Sequence, residues 1–223
     1  NSKVYVNDLY KGVTLQQAIQ DSIAYAKANN MRVVFQGGIQ GDYWLNFSGG
    51  TQAELEKLIQ DNSDVALFAI GAGNGGPGGN INDPNYLTSV SGVAKLETTH
   101  NNVMSVGALK RTGTATVRGM TNASAVDIGG YSNRGSNLTL MAATDSPAMD
   151  KLGIVRIFEG TSSSNPNLAG IASLVWSVNP GLKAGEVRQI LTDTAMDLGS
   201  AGRDNTFGYG LANADAAVRR AWA

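Results

Sequence analysis

Apolar side chains recur at helical spacing in the first third of the chain, which predicts two amphipathic helices. Thr14 followed by Gln17 is a capping-box pattern, and it precedes a stripe of apolar residues that ends at Asn29. Thr51 followed by Glu54 repeats the pattern before a second, shorter stripe. We therefore expect a helix to begin after each of these threonines.

Short, continuous apolar runs lie between the helical segments and are typical of strands that are covered on both faces. They occupy residues 31–35, 65–70, 103–109 and 138–142, with a shorter strand-like run at 3–6. Further helices are predicted at about residues 167–178 and 183–195, and a last amphipathic segment at about 213–222. Because strands alternate with helices, the sequence predicts one α/β domain over residues 1–223 with a mostly parallel sheet.

Glycine-rich turns follow two of these predicted strands. Gly37 and Gly38 come after the 31–35 run, and Gly73 and Asn74 lie in the turn after the 65–70 run. In a parallel sheet, binding and catalytic groups collect at the carboxyl ends of the strands. A functional site is therefore expected at these two turns.

The composition excludes several kinds of site and partner. Of 223 residues, 42% are hydrophobic and 16% charged, so the chain can form a large core and is not a disordered polypeptide. With no Cys and one His, it cannot use thiol catalysis, disulfides or a multi-histidine metal site. A net charge of −1 gives no electrostatic signature of nucleic-acid binding. No apolar run approaches the roughly 18 residues of a membrane span, so neither nucleic acid nor a bilayer is an expected partner.

One segment that opens a predicted helix carries candidate chemistry. Residues 160–170 read G-T-S-S-S-N-P-N-L-A-G, which resembles the nucleophile motif G-T-S-x-x-x-P-x-x-A-G of subtilisin-like serine proteases. The resemblance makes Ser162 the nucleophile, at a helix N-terminus where N–H groups and the helix dipole favour developing negative charge. Gly160 would let the backbone approach a substrate. Pro166 is expected in the first helical turn, where its missing N–H costs nothing.

Further blocks match the same family in the same order along the chain. Ala72-Gly73-Asn74 resembles the loop that supplies the oxyanion-hole side chain, and Gly37-Gly38 the edge along which the substrate backbone pairs. Residues 103–108, 131–135 and 207–214 match three more blocks. The resemblance implies a three-layer α/β/α fold with a mostly parallel sheet. The site residues that it implies are Ser162 and Asn74 for catalysis, and Gly37, Gly38, Gly73 and Gly160 for substrate binding.

The front of the family's domain has no counterpart in this sequence. Its triad needs an Asp before Ser/Thr-Gly and a His before Gly-Thr, and neither tripeptide occurs. His100, the single His, precedes the 103–109 strand, which in this family is remote from the nucleophile, so it is not expected to be the base. We expect a preceding segment, on the same protein or as a separate chain, to supply the Asp and the His. Its strand would fill the gap between the 3–6 and 31–35 strands.

These residues lead to one main hypothesis and two alternatives. The main one is a secreted or extracytoplasmic serine endopeptidase of the subtilisin type, which hydrolyses polypeptides once the Asp and His are supplied. A prodomain or inhibitor would be a further partner. The first alternative is a non-catalytic subtilase-like module for binding or structure. The second, another α/β hydrolase with a different base, is disfavoured because no G-x-S-x-G elbow surrounds Ser162: its flanking residues are Gly160 and Ser164.

No cofactor is required for this chemistry, although the family often binds structural calcium. Asn80, Asn82 and Asp83 offer the oxygen ligands that calcium requires, and a plain turn explains them as well. Ser163 and Ser164 depart from the family, which usually has Met and Ala at these positions.

Overall fold

The computed structural model describes residues 3–4, 6–7, 11–37, 49–79, 82–111 and 126–223. The helices are α1 (Leu15–Ala28), α2 (Gln52–Gln60), α3 (Thr161–Val178), α4 (Ala184–Asp193) and α5 (Ala214–Trp222), with a 3₁₀ helix at Gly92–Thr98. The strands are β1 (Val33–Gly37), β2 (Ala66–Gly71), β3 (Val103–Arg111), β4 (Val126–Ile128), β5 (Leu140–Ala143), β6 (Ser146–Met149) and β7 (Val155–Phe158).

The main sheet is mostly parallel, as the alternation of strands and helices predicted. β1 pairs with β2, β2 with β3, and β3 with β5, all in parallel, while β4 is antiparallel to the end of β3. The register places Phe35 opposite Phe68 and Ile70 opposite Ser105. β6 and β7 form a separate antiparallel hairpin just before α3, which the sequence analysis did not predict.

Two apolar cores lie on opposite faces of this sheet, so the domain has three layers. Along β2, Phe68 and Ile70 face the core that α1 and α2 cover, whereas Leu67 and Ala69 face the core beneath the later helices. This alternation is the period of two that a strand imposes on its side chains. Because both faces are covered, every residue of β2 is buried. The predicted three-layer α/β arrangement is confirmed.

The first two helices begin where the threonine caps predicted. Thr14 Oγ1 accepts a hydrogen bond from Gln17 N at 3.2 Å at the start of α1. At the start of α2, Thr51 and Glu54 make both reciprocal bonds of a capping box. Each side chain satisfies a backbone N–H that has no partner inside its own helix.

The helix α3 begins at Thr161, six residues earlier than the predicted start at residue 167. Its N-cap is Gly160, in the left-handed region at φ 86°. Pro166 therefore lies inside the helix rather than in its first turn, and that expectation was wrong. Having no N–H, Pro166 cannot bond the carbonyl of Ser162 four residues before it.

The predicted strand at residues 3–6 is not present at its described positions. Residues 3, 4 and 6 lie in no strand, and Tyr5 lies outside the described residues. Among the described residues, β1 pairs only with β2, so its other edge has no strand partner there. Four of the five β1 residues are half-buried and Gln36 is exposed, whereas β2 is buried throughout.

Candidate active site

Ser162 is the second residue of α3, at the carboxyl end of the parallel strands. Its side chain is half-buried, while the neighbouring Ser163 and Ser164 are buried. The carbonyl of Gly160 accepts hydrogen bonds from Ser163 N at 2.9 Å and Ser164 N at 3.3 Å, which closes the first turn of the helix. The positive end of the helix dipole therefore lies at Ser162, as the sequence analysis expected.

Asn74 lies three residues beyond the end of β2, with its side chain turned toward α3. Its Oδ1 accepts hydrogen bonds from Thr161 N at 2.9 Å and from Thr161 Oγ1 at 3.0 Å. Asn74 is 9% exposed, so these two bonds form in a largely buried place. Because Oδ1 is held by Thr161, the amide is fixed in one orientation and Nδ2 is its remaining donor atom.

One side-chain nitrogen and one backbone nitrogen lie close together beside Gly160. A Cβ added to Gly160 would lie 3.2 Å from Asn74 Nδ2 and 3.6 Å from Ser162 N. Glycine leaves that point empty, so the two nitrogens can both reach one oxygen atom placed near it. The structure thus brings together Ser162, Asn74 and Gly160, three of the residues that the sequence predicted for the site.

The predicted substrate-binding glycines are placed as follows. Gly37 ends β1, and its carbonyl accepts a hydrogen bond from Asn165 Nδ2 of α3 at 2.8 Å. Gly73 has φ 116°, and a Cβ there would come 2.8 Å from the Ser91 Cβ, so this position requires glycine. Gly38 lies outside the described residues.

Asn165 is one of the residues that sequence reasoning missed. It is fully buried, and beside its bond to Gly37 it has an Oδ1 without a hydrogen-bond partner among the described residues. It connects the nucleophile helix to the end of β1. The only sequence signal was its position inside the 160–170 motif, where the family pattern leaves the residue free.

Lys110 is a cation near residues 159–162, the segment that carries Ser162 and that we call the nucleophile loop. Its Nζ lies 3.1 Å from Asp145 Oδ2 and 3.6 Å from Glu159 Oε1. The hydrogen bond and charge of Asp145 raise the pKa of Lys110, and Glu159 adds to that effect. Lys110 therefore stays protonated near neutral pH and is not a general base for Ser162.

His100 lies at the opposite end of the sheet from Ser162. It comes just before β3, at the amino end of the parallel strands, and its Nδ1 lies 2.8 Å from Thr99 Oγ1. Ser162 and Asn74 lie at the carboxyl ends of the strands. An imidazole at the far end of a strand cannot take a proton from Ser162.

Possible metal ligands near the site are largely engaged elsewhere. Asp83 Oδ1 accepts from Asn85 N and its Oδ2 accepts from Asn133 Nδ2, both at 2.9 Å. Asn80 lies outside the described residues. Among the residues that the structure describes, no three His, Cys, Asp or Glu side chains form a group that could hold a metal ion. The calcium site thus stays a prediction.

No helix in the described parts of the chain is long and apolar enough to cross a bilayer.

Comparison with known proteins gives a family model described as the Subtilase family, which matches residues 1–210. Curated relatives match over shorter stretches. The alkaline elastase YaB of a Bacillus species is 44% identical over 62 residues, which are 28% of this chain and 16% of that protein. Subtilisin Savinase of Lederbergia lenta is 45% identical over 60 residues, 27% of this chain and 21% of that protein.

A third relative and two solved structures extend the comparison. The halolysin-like extracellular serine protease Nep of Natrialba magadii is 46% identical over 59 residues, 26% of this chain and 10% of that protein. A psychrophilic protease superimposes with a TM-score of 0.66 at 21% identity, covering 88% of this chain and 62% of that one. The prenylagaramide maturation protease PagA superimposes with a TM-score of 0.61 at 19% identity, covering 99% and 70%. At these identities the two structures show a shared fold.

Proposed function

The chain belongs to the subtilase family, and on that premise we propose that it carries the nucleophile and oxyanion hole of a subtilisin-type serine endopeptidase. The observation that supports this most is the convergence of Asn74 Nδ2 and Ser162 N beside Gly160. Two nitrogen donors that lie 3.2 and 3.6 Å from one point, next to a serine at a helix N-terminus, suit the oxyanion of an acyl-transfer intermediate.

The proposed reaction begins with attack of Ser162 Oγ on the carbonyl carbon of a peptide bond. The serine proton passes to a general base, and the carbonyl oxygen becomes an oxyanion that accepts hydrogen bonds from Asn74 Nδ2 and Ser162 N. The C–N bond then breaks and the base returns the proton to the leaving amine. Water hydrolyses the resulting acyl-enzyme by the same steps in reverse.

Thr161 prepares the oxyanion donor before substrate arrives. Its N and Oγ1 hold Asn74 Oδ1 at 2.9 and 3.0 Å, so the amide need not reorient during the reaction. Such preorganised donors stabilise developing charge better than mobile ones do. We place the substrate backbone beside Gly37, Gly38, Gly73 and Gly160, the positions that the family resemblance implies for substrate binding.

In this proposal the general base is the His of an Asp–His pair on another segment. Neither His100 nor Lys110 can serve, for the reasons of position and protonation given above. Two features of the described residues support docking of a further segment at β1. One edge of β1 has no strand partner among them, and none of them donates to the buried Asn165 Oδ1 beside the end of β1. An unpaired buried acceptor costs about 1–3 kcal/mol, so a segment that donates to it gains stability by binding.

A second candidate function is a non-catalytic subtilase-like module. The observation in its favour is that His100, the single His of the sequence, lies at the end of the sheet opposite Ser162. In this case the nucleophile loop would be retained for its fold, and Ser162 would act only as a residue of the first helical turn.

Labelling by a fluorophosphonate probe separates the two functions, since it requires an activated serine hydroxyl. The probe is added to the chain alone and to the chain refolded with a polypeptide that carries subtilase Asp and His motifs. We expect labelling only in the refolded assembly, and its loss in Ser162→Ala. Ser163→Ala is the matched control, because the buried Ser163 hydroxyl has no hydrogen-bond partner among the residues that the structure describes.

The outcomes of this experiment are distinct. Labelling of the chain alone contradicts the proposal of an external base. If the assembly is folded and neither wild type nor Ser163→Ala is labelled, the non-catalytic module is favoured. Labelling that survives in Ser162→Ala removes Ser162 from the mechanism.

We further propose that the protein is secreted, that its substrates are polypeptides, and that a prodomain or inhibitor binds at the candidate site. One relative is named as an extracellular protease, which supports secretion. Structural calcium at Asn80, Asn82 and Asp83 is also proposed, and isothermal titration of the chain with calcium chloride tests it. Heat of binding that disappears in Asp83→Asn supports this site, whereas no heat contradicts it.

A further inference from the structure

Residues 131–133 contact both loops of the candidate site. This short segment, Tyr131-Ser132-Asn133, lies between β4 and β5, and Ser132 and Asn133 are fully buried. Its backbone and side chains reach the turn that carries Asn74 on one side and the turn that carries Gly160 on the other. The three residues are therefore placed to fix the distance between the oxyanion donor and the nucleophile.

Asn133 binds the residues on either side of Asn74. Its backbone N donates to Gly73 O at 2.9 Å, and its Oδ1 accepts from Gly75 N at 2.8 Å. Asn74 thus lies between two glycines that both bind Asn133, Gly73 through the Asn133 backbone and Gly75 through the Asn133 side chain. Moving Asn74 as a unit requires breaking both bonds.

Asn133 is itself held in place by its amide nitrogen. Its Nδ2 donates to Asp83 Oδ2 at 2.9 Å and to Ser89 O at 3.1 Å. All the polar atoms of the buried side chain are used, which fixes its rotamer. Asp83 therefore has a role in positioning Asn133 whether or not it also binds an ion.

Tyr131 binds the nucleophile loop in a similar way. Its hydroxyl accepts from Gly160 N at 3.1 Å and lies 3.3 Å from Thr144 Oγ1, which donates to Gly160 O at 3.0 Å. Both backbone groups of the N-cap residue are thereby held. The Tyr131 carbonyl also accepts from Gly76 N at 3.0 Å, so this residue contacts both loops.

Ser132 ties the segment to the sheet. Its Oγ accepts a hydrogen bond from Ala108 N of β3 at 3.0 Å, in a fully buried place. The segment is thus anchored to a central strand rather than supported only by the loops that it contacts. A rigid anchor is what a residue needs in order to position others.

We propose that Tyr131 and Asn133 are positioning residues that set the geometry between Asn74 and Ser162, an inference that rests on the proposed function. Asn133 holds the oxyanion loop through Gly73 and Gly75, and Tyr131 holds the nucleophile loop through Gly160. Loss of either contact should displace one half of the site relative to the other. A displacement of about 1 Å can cost as much as 100-fold in rate.

The test uses Tyr131→Phe, which removes only the hydroxyl, and Asn133→Ala. Asn137→Ala is the matched control, since Asn137 makes comparable bonds, to Val90 N at 3.0 Å and Ser89 Oγ at 3.3 Å, on neither loop. Hydrogen–deuterium exchange is measured in the full chain at residues 72–76 and 159–163. Steady-state kinetics are then measured in the assembled enzyme.

We expect Asn133→Ala to speed exchange at residues 72–76 about tenfold and Tyr131→Phe to speed it at 159–163, each relative to the control. In the assembled enzyme, kcat should fall about 10- to 100-fold in Asn133→Ala and less in Tyr131→Phe, with KM within about twofold of wild type. Unchanged exchange in both loops overturns the inference. So does a kinetic change that Asn137→Ala reproduces. If the wild-type assembly is inactive, the proposed function fails, and the exchange data alone decide the positioning role.

Discussion

The two sides of the candidate site differ in how many of their hydrogen-bonding groups have partners among the described residues. On the oxyanion side, the Asn74 carboxamide oxygen has two donors and the flanking glycines are bound by Asn133. On the β1 side, the described residues provide neither a strand partner for one edge of β1 nor a donor for the buried Asn165 Oδ1. The first side is thus hydrogen-bonded within this chain, whereas the second is where we propose that a further segment docks.

This difference separates two contributions to catalysis. Oxyanion stabilisation depends on donors that are held rigidly, and this chain supplies their supports. Activation of the serine depends on a base, which we assign to a segment beside β1. The predictions below test whether the two sides are as independent as their contacts indicate.

The largest effect on stability is expected away from both sides, at the buried Glu97. Its carboxylate pairs with Arg188 and with Arg203, each at 2.7 Å. In Glu97→Ala both guanidinium groups lose their carboxylate partner and keep only hydrogen bonds to backbone carbonyls, so we expect the free energy of unfolding to fall by about 3–5 kcal/mol. Chemical denaturation measures this, with the exposed Glu56→Ala as control. A drop below about 1 kcal/mol would show that the cluster does not stabilise the sheet.

Removal of the proposed oxyanion donor, Asn74 Nδ2, tests the oxyanion side. In the assembled enzyme, Asn74→Ala should lower kcat by about 10²–10³ and leave KM nearly unchanged, the size of loss known for such a donor in subtilisin itself. The hydrogen bond forms mainly in the tetrahedral intermediate, so ground-state binding is little affected. An unchanged kcat in an active preparation would exclude Asn74 from the mechanism.

Asn165→Ala tests the β1 side. It removes one bond to Gly37 together with one unpaired buried acceptor, so we expect the stability of the chain alone to change by no more than about 1 kcal/mol. Affinity for the Asp/His segment should fall by about tenfold, because that segment loses its acceptor. Chemical denaturation of the two chains measures the first effect, and titration of labelled segment into each chain measures the second. Equal affinities would show that Asn165 does not contact the segment.

The smallest effect is expected in the hairpin that precedes the nucleophile loop. The Arg156 guanidinium lowers the pKa of Asp150, and the Ile154 and Leu152 N–H groups lower it further. A lowered folded-state pKa contributes stability above the ordinary pKa of about 4, which is lost as the pH falls through the folded value. In Arg156→Ala the pKa should rise toward its ordinary value, as an NMR titration would show. An unmoved pKa would mean that the backbone N–H groups alone set it.

The parts of the fold that local patterns dictate could be predicted from the sequence. Thr51 and Glu54 define a helix start within four residues, and the apolar run at 65–70 reports a strand covered on both faces. The start of α3 could not be predicted in this way. Four buried polar residues and an internal proline contradict helical patterning there, and the helix is held instead by contacts with strands distant in the sequence.

The candidate site follows the same division. Ser162 and Asn74 were identified because short motifs surround them, and the structure places them beside Gly160. The supports Asn133, Tyr131 and Asn165 were missed because their role comes from partners at distances of 29 to 128 residues along the chain. No local pattern carries that information.

Hydrogen exchange on the chain with and without the Asp/His segment tests the central claim most directly. We predict that the amides of residues 72–76 are protected in the chain alone and change little on addition of the segment. The amides of β1 that do not pair with β2 should exchange rapidly in the chain alone and become protected in the assembly. Equal protection of β1 in both samples would contradict the account, since it would show that this side of the site needs no partner.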